Sequence, residues 1–186
     1  YLKLFLGHSA YGQLLTLCIY MGGLGIGSFL GAILAKRSRN PLSLYAIIEL
    51  LAGIGGLTYH QLYVLSTNGF YGLGILKNLG PIGVTAFKVA LCALMTGPVA
   101  VLLGMTFPCL AVGLMRLTKD EGSSSLPRLY FSNSLGAAAG ILAASYFLIP
   151  HLGTAGALRM AGCGNLLVAA GFFLAARAAG RAVEAS

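Results

Sequence analysis

Five long apolar stretches, separated by short polar or glycine-rich connections, determine what this chain can fold into. They cover about residues 10–35, 41–66, 82–114, 126–149 and 152–176. A transmembrane helix needs about 20 mainly apolar residues, so each stretch is long enough to cross a bilayer. Only 9% of the residues are charged, whereas a soluble domain has about 25%. The sequence therefore predicts an all-α, polytopic transmembrane helix bundle.

Two features modify this prediction at particular segments. The third stretch is too long for one straight crossing and contains Pro98 and Pro108, so we expect a kinked helix or two half-helices there. The chain begins Tyr1–Gly7 without a charged leader, which is typical of the last turns of a helix rather than of a signal peptide. We therefore expect five full crossings plus a truncated N-terminal helix, and a sequence that is a fragment.

The basic residues indicate how the segments are oriented. The formal net charge is +8, and eight of the twelve basic residues fall on one side if each segment crosses once: Lys36, Arg37, Arg39, Arg116, Lys119, Arg128, Arg177 and Arg181. Basic loops mark the cytoplasmic side of membrane proteins. The charge therefore predicts residues 1–178 as the membrane domain and 179–186 as a cytoplasmic tail. It predicts the lipid bilayer as a partner, and no nucleic acid.

A single acid lies inside the predicted membrane segments, and it is the main candidate for a functional site. Glu49 lies eight residues after Pro41, and an ionisable group at that depth is costly unless it has a partner. Lys88 and Arg159 are the two basic candidates for that partner. Two interpretations stay open, since Glu49 would either contact a transported cation or proton, or pair within the bundle for structural reasons.

Small residues at four-residue spacing predict close contacts between helices, because packing drives association in lipid. The positions are Gly23, Gly27 and Gly31 on the first segment and Gly136 and Gly140 on the fourth. A dinucleotide-binding glycine loop is excluded, because Ser28 stands where the third glycine belongs and no strand precedes it. Asn133 and Asn165 are expected to hydrogen-bond between helices.

Catalytic and metal chemistry find little support in this sequence. We expect no catalytic residue, because paired carboxylates, a nucleophile–base triad and a metal-spaced cluster are all missing. His8, His60 and His151 fall on one predicted side and are the weak candidates for a metal or haem site. The four cysteines lack CxxC spacing, which favours thiols buried inside helices. We expect no cofactor.

Four pieces of sequence, in this order, resemble one family. They are Tyr11–Leu34, Leu103–Pro108, Arg128–Gly140 and Leu148–Gly153. Together they resemble the membrane half of the membrane-bound spermidine-synthase-like proteins, in which a major-facilitator-like bundle is fused to a spermidine synthase. The resemblance covers most of the chain and implies a half-major-facilitator-like bundle.

The resemblance also implies an aminopropyltransferase-like domain, which would have to lie outside this sequence. The implied function is an integral membrane module that anchors this cytoplasmic domain and forms a path for a small solute. Because Glu49 is the lone acid within the predicted membrane segments, we expect it to contact a cationic solute, with Lys88 or Arg159 as its competing partner. We expect the protein in a bacterial inner membrane, and the distribution of basic residues predicts that its C-terminus is in the cytoplasm. The alternative is a non-catalytic accessory subunit of a larger respiratory or photosynthetic membrane complex, whose partners would be other membrane subunits.

Overall fold

The computed structural model describes residues 10–72, 80–118 and 125–184, and all of its regular elements are helices. In chain order they are α1 (Ala10–Arg37), α2 (Pro41–Gly72), α3 (Pro81–Thr118), α4 (Ser125–Ala143), a π-helical turn (Ala144–Leu148) and α5 (Ile149–Glu184). Four helical stretches of the described chain are long and apolar enough to span a membrane: Ala10–Arg37, Pro41–Gly69, Ile82–Thr118 and Ser125–Ala175. The all-α class is confirmed.

Several helix ends differ from those predicted. The second helix continues to Gly72, and within it the Thr67 hydroxyl donates to the Tyr63 and Val64 carbonyls. The third is continuous through Pro98 and Pro108, because a membrane helix tolerates proline where its surroundings satisfy the freed carbonyls. The last helix extends to Glu184, so most of the predicted tail is helical. The expected N-terminal helix, Tyr1–Gly7, lies outside the described residues.

The fourth and fifth apolar stretches join through a π-helical turn and a backbone break. The break falls at Gly153 (φ 66°, ψ 176°), three residues after Pro150, where the sequence predicts the end of a helix. A π turn absorbs a missing proline N–H by shifting the hydrogen-bond register. The chain therefore passes Pro150 in helical form and breaks at the next residue that tolerates a positive φ.

A glycine seam joins α1 to α3, two helices that run parallel. A Cβ built on Gly23 would lie 2.6 Å from the Ala100 Cβ, and one built on Gly31 would lie 2.7 Å from the Met105 Cα. Between them, a Cβ on Gly27 would overlap the Val101 carbonyl oxygen. The backbones approach this closely because no side chain separates them.

The seam ends in a hydrogen-bonded cap at the Arg37 end of α1. Arg116 on α3 donates from Nη1 to the Ser38 carbonyl at 2.7 Å and from Nη2 to the Lys36 carbonyl at 3.0 Å. A guanidinium at a helix C-terminus satisfies carbonyls that lack an intrahelical partner. This end of the bundle, which carries Lys36, Arg37 and Arg116, is called the basic end below, and the opposite end is the far end.

The second helix runs antiparallel to α3 and to α5, and it holds the bundle together. Toward α3, a Cβ on Gly113 would meet Leu42, and one on Gly55 would lie 3.3 Å from Val99. Toward α5, a Cβ on Gly56 would lie 3.1 Å from the Gly162 Cα.

The larger of two buried clusters in the described chain lies toward the basic end. Its members are Ala35, Tyr45, Ile48, Met105 and Cys109, so α1, α2 and α3 all contribute. Phe172 of α5 packs against this cluster.

Candidate functional site

A cavity of about 450 Å³ opens among α1, α2, α3 and α5. Its lining residues are Thr16, Tyr20, Gly56, Tyr59, Thr96, Val99, Ala100, Leu103, Thr154 and Leu158. Small-molecule sites in proteins have volumes of about 300–1,000 Å³ and are mostly apolar with a few polar groups. This cavity fits that description and is the candidate site.

The cavity lies where the glycine seam ends. The seam holds α1 against α3 from Gly31 to Gly23, and Tyr20 and Thr16 follow it toward the far end. Tyr59 lies 18 residues after Pro41, the first residue of α2 at the basic end. At about 1.5 Å per residue, this is about 27 Å along the helix axis. Since the hydrocarbon core of a bilayer is about 30 Å thick, the cavity is in the far half of the bundle.

Three hydroxyl groups in the lining have defined partners. The Tyr59 hydroxyl and Thr96 Oγ1 are 3.2 Å apart and share a hydrogen bond between α2 and α3. Thr16 Oγ1 donates to the Gly12 carbonyl at 2.8 Å within α1. The Tyr59–Thr96 pair has two protons and uses one between its own oxygens, so one donor is left for a ligand.

A second cavity, of about 300 Å³, shares the Tyr59 side chain with the first. It lies between α2 and α3, and its lining includes Ser66, Leu91 and Pro98. Tyr59 therefore forms part of the wall between the two spaces. A substitution of Tyr59 would therefore alter the lining of both cavities.

The hydroxyl residues that line the cavity are not among the site residues predicted from the sequence. They are Thr16, Tyr20, Tyr59, Thr96 and Thr154, which come from four different helices. A hydroxyl inside a predicted membrane segment was the available signal, but only the packing of four helices shows that these residues meet. The break at Gly153 places Thr154 in the first turn of the helix that follows it.

Glu49, the sequence-based candidate, lies elsewhere. It is 7% exposed and hydrogen-bonds the side chain of Tyr45, one turn earlier on α2. The Tyr45 ring packs edge-on against Phe172 of α5, with centroids 4.7 Å apart. Glu49 thus belongs to the interface between α2 and α5 near the basic end, and it does not line the 450 Å³ cavity.

The structure does not bring Lys88 or Arg159 to Glu49. The packing of Leu42 on Gly113, together with the Tyr59–Thr96 bond, sets the register of α2 against α3. Lys88 then lies about 18 residues, or about 27 Å, along α3 from the level of Glu49. On α5, the level of Glu49 falls between Leu166 and Phe172. Arg159 is exposed and about 15 Å away along that helix.

The histidine candidates do not form a cluster in the described chain. His60 is half-buried on α2, and His151 Nδ1 donates to the Phe147 carbonyl at 2.8 Å. His8 lies outside the described residues. Residues 10–72, 80–118 and 125–184 contain no group of three or more His, Cys, Asp or Glu side chains suited to a metal ion.

The cysteines divide into two classes. Cys92 and Cys109 are fully buried, as expected from the sequence. Cys18 and Cys163 are exposed, which differs from that expectation because their helix faces point away from the neighbouring helices.

The fourth helix is almost unpacked in the described structure. Every residue from Phe131 to Ala143 is exposed, and a Cβ on Gly136 or Gly140 would meet no atom within 4 Å. Its contact with α3 is an edge-on pair of rings, Phe107 and Tyr130, 6.2 Å apart. The expected helix contact at Gly136 and Gly140 is therefore not made within the described residues, unlike that at Gly27.

Comparisons of the chain with protein-family models, with curated proteins and with solved structures find no match.

Proposed function

We propose that this chain is the integral membrane module of a spermidine-synthase-like protein, which anchors a cytoplasmic domain and takes a small solute into the 450 Å³ cavity. The cavity is the observation that supports the solute role, because residues of four helices line it and hydroxyl groups interrupt its apolar wall. The order of the sequence motifs supports the family. Glu49 acts in this proposal as a packing group between α2 and α5, since it does not line the cavity.

The proposed topology has five crossings and resembles half a major-facilitator bundle. The first three helices follow from the antiparallel packing of α2 and the parallel seam. Three contacts support the last two crossings. Tyr130 of α4 lies beside Phe107, Thr154 lines the cavity in the far half, and Phe172 packs back on Tyr45. The basic end then faces the cytoplasm of a bacterial inner membrane, and the C-terminus is on the same side.

Thermal unfolding in detergent tests the solute role. Cys92 and Cys109 are fully buried, so a thiol-reactive dye reports unfolding once the exposed Cys18 and Cys163 are replaced by serine. A solute bound to the native state raises Tm in proportion to RT ln(1 + [L]/Kd). Across a panel of spermidine and small uncharged solutes, we expect at least one to raise Tm in the parent protein but not in Leu103→Phe, which fills the cavity. A panel with no Leu103-dependent shift would refute the solute role.

The exposed α4 favours a second candidate, an accessory subunit of a larger membrane complex. Its glycines face open space and Asn133 is exposed within an apolar helix, which suits a helix of another subunit. Purification from the native membrane separates the two candidates. Co-purification in fixed ratio with redox subunits supports the accessory role, whereas a monodisperse single protein whose Tm responds to a cavity ligand supports the first.

A further inference from the structure

We infer that the 450 Å³ cavity accepts an uncharged, mainly apolar molecule that carries a carbonyl or hydroxyl oxygen, and that this molecule enters from the bilayer. The inference rests on the proposed solute role and specifies the class of solute. It differs from the cationic solute that the sequence suggests for Glu49.

The charges around the cavity exclude a cation as the preferred ligand. None of the lining residues that the structure describes is acidic or basic. A polyamine would leave its positive charges without a counter-ion in an apolar space, and buried charges need pairing. An uncharged molecule has no such requirement.

The hydroxyl groups specify the polar part of the ligand. Tyr59 and Thr96 together keep one proton free for a ligand, whereas the Thr16 proton is already donated to Gly12. A carbonyl or hydroxyl oxygen would accept the free proton. The remainder of the ligand would contact Val99, Leu103 and Leu158, which explains why it should be mainly apolar.

The opening of the cavity indicates the route of entry. Tyr20 on α1 is 38% exposed and Thr154 on α5 is exposed, whereas Tyr59, Thr96 and Leu103 on α2 and α3 are half-buried. The exposed members of the lining thus lie on the two outer helices. In the proposed topology this side faces lipid, so a molecule dissolved in the bilayer reaches the cavity sideways.

Benzophenone, an uncharged diaryl ketone, tests the inference by photolabelling the full chain in nanodiscs. On irradiation its oxygen abstracts a hydrogen atom from a nearby C–H group, and the two carbon radicals combine. The adduct keeps all atoms of probe and protein, so mass spectrometry locates it. We expect adducts on Val99, Leu103 or Leu158, and no reduction when spermidine is added in excess.

Two variants identify the contacts. In Tyr59→Phe/Thr96→Val, loss of one hydrogen bond should lower cavity labelling about two- to tenfold. The matched control is Thr58→Val/Tyr146→Phe. It also removes one threonine and one tyrosine hydroxyl, but from exposed positions outside the cavity. Leu103→Phe, which fills the space without removing a hydroxyl, should also reduce labelling. A variant is compared only if its Tm shows a folded protein.

The outcomes separate this inference from the proposed function. Cavity adducts that depend on the Tyr59–Thr96 pair support both. Leu103-dependent stabilisation by spermidine, without cavity adducts from benzophenone, would overturn the uncharged ligand and leave the solute role standing. Adducts confined to lipid-facing residues such as Phe131, with no stabilising solute in the panel, would overturn both. Cavity adducts of equal yield in the double variant and its control would overturn the carbonyl or hydroxyl requirement.

Discussion

A single methyl group added at Gly27 should force two helices apart. The new Cβ would lie 2.8 Å from the Val101 carbonyl carbon and 3.0 Å from the Gly104 Cα. These are backbone atoms, which cannot turn aside as a side chain does. Overpacking of this kind costs about 1–3 kcal/mol. At about 2–4 °C per kcal/mol for a chain of this size, the Tm of Gly27→Ala should lie about 2–12 °C below that of a glycine-to-alanine variant without the clash.

The matched control is Gly25→Ala, two residues away on the same helix. A Cβ on Gly25 would meet nothing within 4 Å. Both substitutions gain the same helix propensity, about 0.5–1 kcal/mol, so the difference between their Tm values isolates the contact. The dye assay on Cys92 and Cys109 provides both values. Equal Tm values for the two variants would show that α1 and α3 are not in backbone contact.

A double variant adds a second check on the seam. Gly104→Ala would place its methyl against the Leu24 carbonyl, on the other side of the same contact. Once the helices have separated to accept one methyl group, the second should cost less. The loss of Tm in Gly27→Ala/Gly104→Ala should therefore be smaller than the sum of the single losses. Full additivity would indicate that the two glycines occupy independent sites.

Three further substitutions test other parts of the bundle by the same unfolding assay. Gly153→Ala should lower the free energy of unfolding by about 1–3 kcal/mol, because φ 66° with ψ 176° suits only glycine. The control Gly164→Ala places its methyl group in open space and should not destabilise the protein. Equal Tm values for the two variants would contradict the backbone break. Arg116→Lys should lower the free energy of unfolding, because an ammonium cannot span two carbonyls. The site is exposed, so the loss should be only about 0.5–1 kcal/mol. An unchanged Tm would count against the cap. Glu49→Gln should leave the free energy of unfolding nearly unchanged, whereas Glu49→Leu should lower it by about 1–3 kcal/mol. The reason is that only the leucine leaves the buried Tyr45 hydroxyl without its partner. A larger loss of stability in Glu49→Gln than in Glu49→Leu would reject the packing role.

The sequence predicts the helices well because apolar length is a local property. The start of α2 at Pro41 and the basic residues at the end of α1 can both be read directly from the printed chain. The sequence predicts a helix end at Pro150, but the backbone breaks at Gly153 because a π turn compensates for the proline. Such compensation depends on the backbone hydrogen bonds around Pro150, which the sequence alone does not show.

The site was harder to predict because it depends on which helix faces meet. The spacing of Gly23, Gly27 and Gly31 identifies a contact face but not the helix that covers it. Glu49 is a candidate from sequence because it is the lone acid in the predicted membrane segments. The register of α2 against α3 and α5, which the sequence does not show, places it far from Lys88 and Arg159. The cavity arises between four helices that are far apart in sequence, and no single segment carries its pattern.

The parallel seam has a consequence for the order in which the protein assembles during synthesis. Gly27 and Gly104 are about 77 residues apart, so at about 5–20 residues per second the ribosome needs about 4–15 s to supply the partner of α1. During that interval α1 has inserted, while its glycine face meets lipid or another helix. The glycine face of α1 is therefore covered by α3 only after α2 has also been synthesised.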